Sequence, residues 1–107
     1  MTYELDPNSE LPPHLLQLFL RAGPVQLQQV IDTCLRHDAA SARLAAHKLK
    51  GGLYAAGASA LAQGVEALRG TLAIEDWGLA GRQLQAICDD FARLIFAIER
   101  QLRASQP

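Results

Sequence analysis

The chain has 107 residues, half of them apolar and a fifth charged, with a formal net charge of −1. That length suits one domain spanning residues 1–107, able to bury a core without disulfide or metal staples. Balanced charge leaves no basic stripe to follow a phosphate backbone, so nucleic acid is not an expected partner.

Met1–Asn8 carries no basic-then-apolar leader pattern. No apolar run approaches the roughly 20 residues that a bilayer span needs. The expectation is a cytoplasmic chain without membrane insertion. Pro12 and Pro13 suit the first turn of a helix, and Leu15, Leu16, Phe19 and Leu20 then recur at helical spacing. Gly23-Pro24 interrupts this stretch. Two outcomes stay open: a break that leaves a short leading helix, or a kink within one helix. Val25, Leu27, Val30, Ile31, Cys34 and Leu35 continue the amphipathic pattern, and Arg36 and His37 sit where positive charge complements a helix C-terminus.

Asp38 is a suitable N-cap for a helix running over about 39–56, and Gly57 suits the left-handed position that closes it. A further helix starts near Ser59 and carries Leu61, Val65, Leu68 and Leu72 inward. Asp76 caps a long last helix whose apolar residues are Leu84, Ile87, Cys88, Phe91, Leu94, Ile95, Ile98 and Leu102. No alternating pattern marks a strand. The expected fold is all-α, an antiparallel up-down four-helix bundle, with the short N-terminal helix as its open variant. Its core helices span about 12–103, and 1–10 and 104–107 are loose ends.

Cys34 and Cys88 are far apart, outside any Cys-x-x-Cys, and are expected to be small buried hydrophobes. His14, His37 and His47 lack ligand spacing, so no metal site is expected. Adjacent Asp89 and Asp90 diverge around a helix and make no acid–base pair.

The chemistry concentrates in Ala46-His47-Lys48-Leu49-Lys50-Gly51-Gly52. At 100° per residue, Ala42, Ala45, Ala46, Leu49, Leu53 and Ala56 form one inward band, and His47 projects about 160° from Leu49. Arg43, Lys50, Gly51 and Tyr54 share its outer face, and Leu44 lies one turn back. An imidazole is a nucleophile near neutral pH because its unperturbed pKa is about 6.5. Lys50, one turn on, can place an ammonium beside a phosphoryl group on the imidazole and offset its charge, and Arg43 could add a second cation. Two glycines inside a helix cost about 1 kcal/mol each relative to alanine. Clearance beside the imidazole for a docking partner is a gain that offsets this cost, with Leu44 and Tyr54 as its apolar patch. Each feature alone has an ordinary structural explanation. An exposed histidine is usually a surface residue, and paired glycines can serve helix packing or a kink.

Taken together, Ala46-His47-Lys48-Leu49-Lys50-Gly51 followed by Gly57-Ala58 closely resembles the signature of histidine-containing phosphotransfer (HPt) domains. In that family Ala-His-x-Leu-Lys-Gly precedes a Gly-Ala pair and an apolar helix, and the fold is a four-helix bundle. Weaker likeness extends over most of the chain. The resemblance implies that His47 is phosphorylated, that Lys50 stabilises the phosphate, and that Gly51 clears space for a receiver domain. Gly52 stands where Ser or Ala is frequent, and Leu68-Arg69 where Leu-Glu is frequent; neither departure removes a required group.

The implied function is phosphotransfer in a two-component phosphorelay. His47 takes a phosphoryl group from a receiver aspartate and passes it to another. Arg43, Leu44, Gly52 and Tyr54 are the expected partner-facing residues. The resemblance implies a monomer, with receiver domains as partners and Mg²⁺ held by the receiver, not by this chain. No Gly-rich nucleotide box or Gly-x-x-x-x-Gly-Lys motif is present, so the domain is not expected to be an enzyme. The sequence fits equally a free-standing protein and the C-terminal module of a hybrid sensor kinase, the latter tethered to the inner membrane through its parent. A receiver-docking module without transfer and a plain dimerisation bundle are the competing classes.

Overall fold

Pro13 opens the first helix at a position whose N–H would have no helical partner in any residue. The computed structural model describes residues 11–104. It contains α1 (Pro13–Leu35), α2 (Ala39–Ala55), α3 (Ser59–Ala73) and α4 (Trp77–Ala104), and no strand among the described residues. α2 packs on both α1 and α3, and α4 packs on both as well, while the diagonal pairs do not approach. Short turns between packed neighbours make each adjacent pair antiparallel. The expected up-down four-helix bundle is what the chain forms.

All three turns are built alike. His37, Gly57 and Glu75 take left-handed φ values of 52°, 76° and 54°. In each, the next N–H reaches back to the last helical turn: Asp38 to Thr33 O, Ala58 to Leu53 O and Asp76 to Thr71 O. This is the Schellman arrangement, and it satisfies carbonyls the helix end would otherwise orphan. The Asp38 carboxylate then accepts from Ser41 N at 3.1 Å and that of Asp76 from Leu79 N at 3.1 Å. The expected roles of Asp38, Gly57 and Asp76 all hold. Arg36 and His37 lie just beyond the last turn of α1, in the link itself. The His37 ring stacks on Trp77 at a centroid distance of 4.5 Å, joining the first turn to the start of α4.

Among the described residues no separate leading helix forms, because α1 runs unbroken through Pro24. Leu16, Phe19, Gly23, Leu27, Val30 and Cys34 form one buried stripe on both sides of the proline. Continuous packing along that stripe outweighs the local loss of one backbone hydrogen bond. Gly23 has its own reason: a Cβ there would lie 2.9 Å from the tip of the Phe19 ring, itself packed on Phe91. Ala104 belongs to α4 and not to a loose end. The expected loose ends at 1–10 and 105–107 lie outside the described residues.

The core joins Leu49, Leu53, Leu68, Leu72, Leu94 and Ile98, all fully buried. Ile87 and Phe91 are buried with them, and Leu84, Cys88, Ile95 and Leu102 pack at the margin. Burial raises the thiol pKa of both free cysteines, Cys34 and Cys88. No helix of the described residues is long and apolar enough to cross a membrane.

Pro24 is exposed and leaves the Leu20 carbonyl without its helical donor. Pro24→Ala should restore that bond and raise folding stability by up to about 3 kcal/mol, seen as a higher urea midpoint. An unchanged or lower midpoint would show that the proline does not disturb α1.

Candidate functional site

Rotation of α2 about its axis decides what this site presents. Ala42, Ala45, Ala46, Leu49 and Leu53 are buried against the rest of the bundle. Their small and medium side chains let α1 and α3 come close on either flank. The opposite face therefore carries His47 into solvent, one turn after Arg43 and one turn before Lys50 and Gly51. Among the described residues the His47 side chain has no hydrogen-bond or ion-pair partner. Leu44 and Tyr54 are both about half exposed on this side of the helix. α2 bears Arg43, Lys48 and Lys50 and no carboxylate.

The two glycines part company. A Cβ at Gly51 would meet nothing within 4 Å. Nothing inside the chain requires glycine there, so its helix cost has no internal offset. A Cβ at Gly52 would lie 2.9 Å from Gln26 Oε1 on α1. Gly52 thus faces the flexible end of Gln26 on α1, whereas Gly51 faces open space. Gly52 lines a groove of about 210 Å³ between α1 and α2, with Leu15, Leu18, Ala22 and Ala55 on its walls.

One residue of the site carries no signal in the sequence. Glu66 on α3 accepts from Lys50 Nζ at 2.9 Å, and Arg69 Nη1 donates to the same Oε2 at 2.9 Å. Lys50 is therefore not a free surface cation, for its side chain is only 21% exposed. Hydrogen bonds from Lys50 first, then from Arg69, hold the Glu66 carboxyl below the usual glutamate range. Buried Arg69 Nε has no partner among the described residues. The i,i+3 spacing of Glu66 and Arg69 is visible in the sequence, but their pairing with α2 depends on inter-helix register, which carries no local signal.

Elsewhere, Asp89 accepts from Gln85 and Asp90 pairs with Arg93, so the adjacent carboxylates do turn to different neighbours. Described residues hold no group of three or more His, Cys, Asp or Glu side chains arranged for a metal ion.

An unengaged imidazole, a lysine on the next turn and an open glycine beside both make a nucleophile that an anionic centre on another macromolecule can reach. A model of the Hpt domain family matches residues 14–105. No curated protein and no solved structure matches the chain.

Because the Glu66 carboxyl is held below its usual range, its bridges contribute stability above the unfolded glutamate pKa and lose it as pH falls through the folded one. Urea midpoints of the wild type and of Glu66→Gln should therefore differ near neutrality and converge in acid. A constant offset across that range would mean that ionisation of Glu66 does not stabilise the fold.

Proposed function

The chain belongs to the Hpt domain family, and from that membership we propose that His47 accepts a phosphoryl group from a receiver-domain aspartate and hands it to another receiver aspartate. Hpt domains are phosphocarriers of phosphorelays that act on receiver domains, and they are not enzymes in their own right. The observation that carries the assignment to His47 is its position: solvent-exposed on the family's motif, with no partner of its own, one turn from Lys50 and Gly51.

In the proposed step the neutral imidazole attacks phosphorus through Nε2, in line with the bond to the aspartyl oxygen. The N–P bond forms as the P–O bond breaks, and the carboxylate leaves with the bonding pair. Nδ1 keeps its proton. The Lys50 ammonium offsets charge on the phosphoryl oxygens, and a Mg²⁺ ion held by the receiver would supply further charge neutralisation. Return of the phosphoryl group to a second aspartate is the same displacement reversed. Arg43, Leu44 and Tyr54 provide a cationic and apolar rim for docking, and the open backbone at Gly51 lets the receiver's active-site loops approach the imidazole. The same surface serves a free-standing carrier and a module of a hybrid sensor kinase.

Incubation with a receiver carrying labelled aspartyl phosphate should transfer label to the wild type and none to His47→Gln. The label should be lost in acid and kept in base, as an N–P bond requires. Equal labelling of His47→Gln would overturn the proposal, and receiver binding without phosphohistidine would make the chain a docking module.

Gly51→Ala separates function from folding. It should stabilise the helix by about 1 kcal/mol, a rise of about 4–8 °C in Tm for a domain of this size. The same change should slow exchange with the receiver. Faster or unchanged exchange would remove the clearance role.

A further inference from the structure

The three-residue link between α2 and α3 sets their register, and the Lys50–Glu66 contact at 2.9 Å agrees with it. These neighbours are antiparallel, so one turn back along α2 corresponds to one turn forward along α3. Three residues back from Lys50 is His47, and three forward from Glu66 is Arg69. Arg69 therefore stands level with His47 across the helix pair.

Its side chain is folded down and 23% exposed, with Nη1 on Glu66 Oε2 at 2.9 Å and on Oε1 at 3.2 Å. Buried Nε–H, from the same planar fork, has no acceptor among the described residues. Glu66 itself is half exposed and joins Lys50 to Arg69. One carboxylate thus occupies, between two cations, the place an anion on His47 would compete for.

We propose that Arg69 is a second phosphoryl-binding cation of this site, and that Glu66 is the positioning residue that holds Lys50 and Arg69 together while His47 is unphosphorylated. This rests on the assignment of His47 as the phosphorylated residue. No covalent bond changes at either group. The phosphoryl group brings up to two negative charges and three acceptor oxygens against one charge on the carboxylate. Lys50 Nζ and the Arg69 fork pass from Glu66 to those oxygens, and water takes up the exposed carboxylate. Arg69 then favours phosphate on this chain, whereas Glu66, by competing for both cations, favours its return to the receiver.

The two residues must therefore act in opposite directions on one equilibrium. With a single phosphorylated receiver, Arg69→Gln should shift the phosphoryl distribution toward the receiver by about tenfold or more, the scale of a charged hydrogen bond. Glu66→Gln should shift it several-fold toward His47. Arg69→Lys, which keeps the charge and loses the fork, should recover part of the loss, and circular dichroism establishes that each variant is folded. The phosphorus resonance of isolated phospho-His47 should move in Arg69→Gln, which a purely structural arginine would not cause. Unchanged distributions, or shifts of the same sign in the Arg69→Gln and Glu66→Gln variants, would overturn the proposal while leaving His47 as the carrier. Absence of label on wild-type His47 would overturn both.

Discussion

Leu49 and Leu53 are fully buried, and with Ala42, Ala45 and Ala46 they lock the rotation of α2 about its own axis. Burying that face against α1 and α3 removes apolar area from water, at about 25 cal/mol for each Å². A turn of the helix by one residue, about 100°, would carry Leu49 toward solvent and bring polar side chains inward. The inward band therefore settles the outward one. His47 is exposed because Leu49 is not, and Lys50 leans toward α3 because the helix cannot roll away from Glu66. The chemistry of the site is the far side of a packing solution.

The turns hold that solution at its ends. Each uses a left-handed residue followed by one that ends the first helix with its N–H. In two of the three, that second residue also begins the next helix with its carboxylate. Glycine takes the left-handed position without steric cost at residue 57, but His37 and Glu75 do not. A non-glycine residue there costs about 1–2 kcal/mol. At His37 the stacked Trp77 ring gives something back, tying the α1–α2 turn to the base of α4.

Much of this was legible in the sequence because its cause is local. Asp38, Gly57 and Asp76 act through hydrogen bonds within a few residues, so their chemistry announces their place. The 3.6-residue repeat of Leu84, Ile87, Phe91, Leu94 and Ile98 is likewise contained in one helix. What stayed hidden depends on a second helix. Pro24 looks like an interruption until the buried stripe on both sides of it is seen packed as one surface. Gly51 and Gly52 are the same residue side by side, and only the placement of Gln26 tells one from the other. Glu66 has no motif at all. Its part in the site comes from register, which a single chain segment does not encode.

The three links have a further meaning for how a phosphate would be carried. Each is three residues long, and those residues are committed to closing one helix and opening the next. Hinge motion needs a few positions free to absorb a change in φ and ψ, and these turns keep none in reserve. A donor and an acceptor would thus meet the same helix frame, with only side chains rearranged upon it. In the proposed function, a bundle with such links would carry the phosphoryl group on a fixed backbone frame and leave the choice of direction to the proteins on either side.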